Sequence, residues 1–295
     1  MRVTTLLSQM RREADILRGQ ERLEHAQSQV SSGVRITKPS DAPGQISELL
    51  RVQSEIAAKG ALNSSIEAVM PIAKTTDSAL ADITNNLRQL RSVANQAING
   101  ATNADQRAVL AGQVGQIIEA IRFATNTSLG GKYIFAGTAS DQAPFQPGPP
   151  VTYNGNSNPL TITLTGGQPF AYAISGTQIV NARGSTDLFS NLSSLQTAIS
   201  TGDTAGMQTA ALEVDHDSSN IVRLRADMGS RINYLDHTST QLADGIIAAQ
   251  QRESDLKNVD MAEAILDEKT AETTQQATLA IAANIGNPSL LDYLR

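Results

Sequence analysis

The sequence predicts a mainly α protein with a small β insert: a nested bundle of long helices whose N- and C-terminal helices pair as a coiled coil, with a central β-rich domain. Three observations carry that prediction. Residues recur in rows seven apart at both ends of the chain: Val3, Met10 and Leu17 beside Ile16, Leu23 and Val30, then Val259, Leu266, Thr273 and Ala280 beside Ile265, Glu272 and Leu279. Inside them run cleaner 3-4 stripes, such as Leu80, Ile83, Leu87, Leu90, Ala94 and Ala97. In the middle the period changes to alternation, Leu160, Ile162 and Leu164 against Thr161, Thr163 and Thr165, which marks a half-buried strand.

The first helix is expected from about Thr4 to Ser31, with Gly33 as its stop. Pro39, Ser40, Asp41, Pro43 and Gly44 then form a turn that can cap the next helix. An ordinary interhelical loop accounts for this composition equally well. A helix from about Gln45 to Met70 is expected to break or kink at Pro71. The helix of Leu80 to Ala97 closes at Gly100, and Leu110, Val114, Ile117, Ile121 and Ala124 continue after Asn103, giving an antiparallel hairpin.

From about Lys132 strands are expected at Tyr133–Phe135, Leu160–Leu164, Phe170–Ile174 and Gln178–Val180, with Tyr153-Asn154-Gly155-Asn156 as a hairpin turn. Helix returns after Asp187, a fitting N-cap, through Leu188, Leu192, Leu195 and Ile199. A long helix follows on Ile221, Leu224, Met228, Leu235, Leu242 and Ala249, and the terminal helix begins near Leu256. Three divisions result: residues 1–40 plus 255–295 as a terminal coiled-coil assembly domain, 41–135 plus 187–254 as a helical bundle, and 136–186 as a small, outward-facing β-rich domain.

The terminal seams are narrow and interrupted by Gln, Glu and Thr, too weak to hold a lone helix in water. With Leu6 and the last-turn patch Leu290, Leu291 and Leu294, they are the expected assembly interface. The plainer reading is that Leu6, Leu17, Leu266 and Leu279 pack within one monomeric bundle.

Composition narrows the function. Charged residues make up 18% of 295 and the net charge is −6, with the basic residues dispersed, so no nucleic-acid groove is expected. Aromatics are 3% and Trp is absent, so no stacking platform is available. Without cysteine there are no disulfides, thiolate metal sites or Cys nucleophile. No apolar run approaches the roughly 18 residues of a membrane helix, and the charged N-terminal stretch lacks a signal-peptide core.

Catalysis is not expected, nor a metal or cofactor. His25 and His237 stand alone in helical patterns, and Asp215-His216-Asp217 reads as a polar helix face because consecutive residues diverge. Gly130-Gly131-Lys132 lacks the earlier glycine of a phosphate loop and continues into Tyr133.

The turn Ser32-Gly33-Val34-Arg35-Ile36, followed by Pro39-Ser40-Asp41-Ala42-Pro43-Gly44, resembles the N-terminal signature of the flagellin-like axial proteins of bacterial flagella, with Ala42 where a second Asp is usual. Arg225, Gly229, Arg231, Ile232, Asn233 and Leu235 are similar to that family's long C-terminal helix, as are Gln275-Gln276 and the Leu290-Leu291 ending. The resemblance covers residues 1–135 and 200–295. The opening Met1 to Thr5, the segment Gly131 to Phe145 and the ending Ser289 to Leu294 look like the junction member of the family rather than a filament subunit.

The resemblance implies a structural subunit joining hook to filament. It implies a homo-oligomer in a helical or ring assembly that contacts a hook-side junction protein and flagellin. Export would run through the flagellar type III apparatus without a cleaved signal peptide, with a chaperone holding the C-terminal helix. The alternatives are a short filament flagellin, or a coiled-coil tip or translocator component of a secretion apparatus. No nucleic acid and no membrane are expected as partners.

Overall fold

The structure is a computed structural model describing residues 2–36, 38, 42–100, 103–148, 151–164, 166–180 and 187–286, with side chains for all of these but 2–6, 8, 9 and 284–286. Among them the helices are α1 (Arg2–Ser32), α2 (Pro43–Asn99), α3 (Ala104–Thr125), α4 (Gly176–Val180), α5 (Leu188–Thr201), α6 (Thr204–Lys257) and α7 (Met261–Gly286). Three antiparallel pairs lie between α3 and α4: β1 (Ser128–Leu129) with β2 (Lys132–Tyr133), β3 (Phe145–Gln146) with β4 (Thr152–Tyr153), and β5 (Thr161–Thr163) with β6 (Pro169–Ala171). The chain packs as two compact units, Met1–Ala58 with Gly245–Arg295, and Lys59–Asp244. The described residues of the β insert fall in the Lys59–Asp244 unit with the helices that flank them.

In the Lys59–Asp244 unit one apolar core joins residues of α2, α3, α4, α5 and α6. Leu80, Ile83, Leu87 and Leu90 of α2 are buried with Val114, Ile117 and Ile121 of α3, Leu192, Leu195 and Ile199 of α5, and Val214, Ile221 and Leu224 of α6. Helix ends fall where the capping chemistry puts them. Asn103 and Gln106 form a reciprocal capping box at α3, with Asn103 Oδ1 accepting from Gln106 N–H at 2.8 Å. Asp187 caps α5 through Phe189 N–H at 3.0 Å, and Gly202 at φ 76° ends it.

Pro71 does not break its helix: α2 continues through it. The lost N–H and the ring clash cost about 3 kcal/mol, and buried Ile66, Val69 and Ala73 on either side hold the path.

The insert is more deeply embedded than its alternating pattern implies. Phe135 and Phe145 are fully buried in the helical core, and the Phe145 ring lies 5.6 Å from Phe189. Ile162, Leu164, Phe170 and Tyr172 of the β5–β6 hairpin pack on Ile66, Val69, Leu235 and Leu242 of α2 and α6, so this hairpin is not a free outward-facing module. A two-stranded ribbon cannot hide its own apolar face and takes the neighbouring helices as its second layer.

Two local expectations change. Gln178–Val180 belongs to helix α4, and Asn154-Gly155 follows β4 without joining paired strands. Gly130 and Gly131, at φ 58° and 78°, make the two-residue turn of the β1–β2 hairpin, which requires positive φ at both positions.

Candidate assembly site on the terminal helices

In the unit holding both chain ends, α1 lies along α7. On α1 Ile16, Gly19, Leu23, Ala26 and Val30 form a half-buried to buried row at 3-4 spacing that turns one face inward, with Arg12, Ala14, His25 and Gln29 also half-buried. The matching α7 row is unusually small and polar: Ala264, Ala271, Gln275 and Thr278. Gly19 gives room for this row, since a Cβ there would overlap Gln275 Oε1. Among the described residues that buried amide oxygen has no hydrogen-bond partner. A groove of about 560 Å3 runs beside the pair, with Arg18, Arg22 and His25 on one wall and Asp267, Thr270 and Thr274 on the other.

The expected assembly residues divide accordingly. Ile16, Leu23 and Val30 lie on the inward face, and Val259 is half-buried at the start of α7. Met10 is 61% exposed and Leu17 54%. Leu266 is 68% exposed, and Ile265 and Leu279 are close to half exposed. Leu7, Met261 and Ile281 join them as large apolar side chains in solvent, none of them marked by the seven-residue rows. The reading in which Leu17, Leu266 and Leu279 close a monomeric core therefore fails for the isolated chain. The side chains of Val3 and Leu6, and residues Leu290, Leu291 and Leu294, lie outside the described residues.

The signature turn has a definite mechanical role. Gly33, at φ 69°, ends α1 and returns its N–H to Gln29 O at 2.9 Å. The following residues run antiparallel to the break between α6 and α7, with a bridge between Val34 and Asn258. Arg35 N–H donates to Lys257 O at 2.7 Å, and Val259 N–H donates to Gly33 O at 3.0 Å. The Arg35 guanidinium adds Nη2 bonds to Leu256 O at 2.9 Å and Gln45 Oε1 at 2.7 Å. One side chain thus ties α1's exit, α2's entry and the α6 end together. Pro43 is the first residue of α2; Pro39, Ser40 and Asp41 lie outside the described residues.

Asp260 then caps α7, its Oδ1 accepting from Ala262 N–H at 2.9 Å. Nearby, Arg252 Nη2 donates to both carboxylate oxygens of Glu55 at 3.0 Å and Gln53 Nε2 donates to Glu253 at 2.8 Å. Sequence patterning marked neither Asp260 nor Gly19 and Gln275. Asp260 opening a helical stretch was the available signal; Gly19 carries none and Gln275 only its place in the family resemblance, because small and amide residues do not register in an apolar period.

Chemical groups are sparse. Among the described residues no cluster of three or more His, Cys, Asp or Glu could hold a metal ion, and no helix is long and apolar enough to cross a membrane. The run Asp215-His216-Asp217 does splay: Asp215 faces Arg91 at 3.5 Å and His216 is exposed. Asp217, however, is buried rather than solvated, and accepts from Asn191 Nδ2 at 2.8 Å. Burial pushes its carboxyl up to about 6, against the Asn191 hydrogen bond that favours the charged form.

Comparison with known proteins accords with this geometry. Residues 3–140 match the bacterial flagellin N-terminal helical region and residues 212–294 the bacterial flagellin C-terminal helical region. The chain is 26% identical to flagellar hook-associated protein 3 of Escherichia coli over 85% of this chain and 86% of that one. It is 23% identical to the protein of the same name in Salmonella typhimurium over the whole of both. Flagellin FlaB2 of Treponema pallidum is 23% identical over 90% of each.

Among solved structures, a flagellar hook-associated protein from Vibrio parahaemolyticus superposes with TM-score 0.67 at 18% identity, covering 74% of this chain and all of that one. Flagellar hook-associated protein 3 from Legionella pneumophila gives 0.63 at 13%, covering 70% and 98%. Helical regions matched at both ends, a shared fold and a capped turn clamping the terminal pair converge on one conclusion: the chain belongs to the bacterial flagellin family of structural, non-enzymatic flagellar proteins.

Proposed function

We propose that the chain is a junction subunit between the flagellar hook and the filament, built into the axial structure as a homo-oligomer through its terminal helices. The observation that carries this reading is the inverted character of the α1–α7 pair. The α7 side of its inner seam is small and partly polar, while Leu7, Met10, Leu17, Ile265, Leu266, Leu279 and Ile281 stand largely in solvent. Fully burying each such side chain is worth about 1.5–3 kcal/mol relative to exposure, so the pair gains more from neighbours than from itself. Copies that repeat one heterologous contact build a tube or ring.

Two relatives that span most or all of the chain are named hook-associated proteins, which supports the junction over the shaft. Val3, Leu6, Leu290, Leu291 and Leu294 stay in the proposed interface on their apolar character alone. Passage through the type III export channel follows from the assembly's place outside the cell. A marginal α7 with an apolar outer face is a suitable chaperone ligand.

Deletion of the gene tests the proposal: hooks should remain while flagellin is secreted unpolymerised, and intact filaments in the deletion strain would refute it. The flagellin relatives that span most of this chain favour one other reading, a short filament flagellin. Immunogold label confined to the filament base supports the junction; label along the shaft supports the filament subunit.

A further inference from the structure

The chain holds two Asn-Gly pairs, Asn99-Gly100 and Asn154-Gly155, and the fold treats them oppositely. We propose that Asn154-Gly155 is a site of spontaneous deamidation and isoaspartate formation in the folded protein, whereas Asn99-Gly100 is protected. In this reaction the Gly155 backbone nitrogen attacks Asn154 Cγ. The N–Cγ bond forms, the Cγ–Nδ2 bond breaks, and ammonia departs carrying the amide proton. Water then opens the five-membered imide at either carbonyl, giving aspartate or isoaspartate. No catalyst or oxidant is needed.

The geometry separates the two pairs. Gly100 N–H is held by Gln96 O at 3.0 Å at the end of α2, and Asn99 Nδ2 donates to Asn95 O at 3.0 Å, so both the nucleophile and the leaving amide are engaged. Asn154 is exposed, and among the described residues neither its side chain nor the Gly155 N–H makes a hydrogen bond. Its own N–H is anchored to Pro144 O at 2.7 Å, which fixes the turn while leaving the reacting groups unbonded.

Glycine cannot be exchanged for a slower neighbour here: a Cβ at Gly155 would overlap the Tyr153 ring. The nearby Asn156 is locked by contrast, its Oδ1 accepting from Thr138 and Asn158 N–H at 3.1 Å and its Nδ2 donating to Thr138 Oγ1 at 2.8 Å.

Isoaspartate would add a carboxylate and lengthen the main chain between Tyr153 and Asn156. That span is clamped by the Tyr153 hydroxyl, 3.0 Å from Phe135 O and 2.9 Å from Asn156 O. The modification therefore loosens the β3–β4 end of the insert and dates the protein with age.

The test incubates the full chain at mildly alkaline pH. Isoaspartate is followed by methylation with a protein isoaspartyl methyltransferase and located by peptide mass spectrometry. In the folded chain Asn154 should convert at least about tenfold faster than Asn99, since a bonded amide reacts only through local opening. In concentrated urea the two rates should converge. Asn154→Gln should remove the folded-state signal. Comparable rates in the folded chain, or an unreactive Asn154, would overturn the proposal. A rate ratio unchanged by urea would also overturn it, since the fold would not be the cause.

Discussion

Replacing Arg35 by alanine isolates the clamp between the α1 exit and the α6–α7 break. It removes the guanidinium bonds to Leu256 O and Gln45 Oε1 and leaves the backbone pairings Arg35 N–H to Lys257 O and Val259 N–H to Gly33 O in place. A charged donor contributes about 1.5–3 kcal/mol when shielded. Arg35 is exposed and water replaces part of each bond, so the two together amount to about 1–2 kcal/mol. A local opening that easier corresponds to roughly 5–30-fold faster exchange.

Hydrogen exchange with peptide-level mass spectrometry reads this directly. Amides of Arg35, Val259 and the first turn of α7 should accelerate, while those around Ile121 and Leu224 in the other unit should not. Arg35→Lys, which keeps the charge but loses the planar fork, should fall between. Unchanged exchange at Val259, or equal acceleration in the α3 and α6 core, would refute the view that this side chain holds the junction.

Four further outcomes are expected. Asp217→Asn keeps an acceptor for Asn191 and removes the buried charge. Because the folded carboxyl titrates near 6 against a usual 3.8, the native protein binds more protons between those values and loses stability as pH rises through them. The variant should lack that decline in urea titrations and be more stable at neutral pH by up to about 3 kcal/mol; parallel curves would contradict it. Leu235→Ala should cost about 2–5 kcal/mol and expose the β5–β6 hairpin to protease, since Leu235 is fully buried beneath it. Leu266→Glu with Leu279→Glu should change monomer melting by less than about 0.5 kcal/mol per site yet abolish complementation of motility in the deletion strain. Gly19→Leu should separate α1 from α7, seen as faster exchange in both helices, and Gln275→Ala should partly restore the pairing by making room.

How much could be read beforehand depends on whether a feature is local. Caps at Asp187, Gly33 and Gly202 and the stripes of α3 and α5 follow from neighbouring residues alone, and each lies where its chemistry puts it. Gln178-Ile179-Val180 looked like a strand because β-branched residues favour one, yet Ile179 and Val180 reach the helical core from a single helical turn. Asp217 looked solvated because its neighbours are polar; only the packing of α5 over α6 buries it.

At the terminal pair the seven-residue rows located the right helices and half of the right face. Ile16, Leu23 and Val30 turn inward, but Leu266 and Ile265 turn outward because α1 meets α7 along Ala264, Ala271 and Gln275. Sequence by itself determined the helical class, the capped ends at Gly33 and Asp187 and the presence of apolar residues along the first and last helices, since periodicity and capping are properties of adjacent residues. Tertiary structure alone decided which rows face each other, that β5–β6 leans on α2 and α6, and that Arg35 bridges positions more than two hundred residues apart. Those choices depend on close packing between distant segments, which no local period encodes.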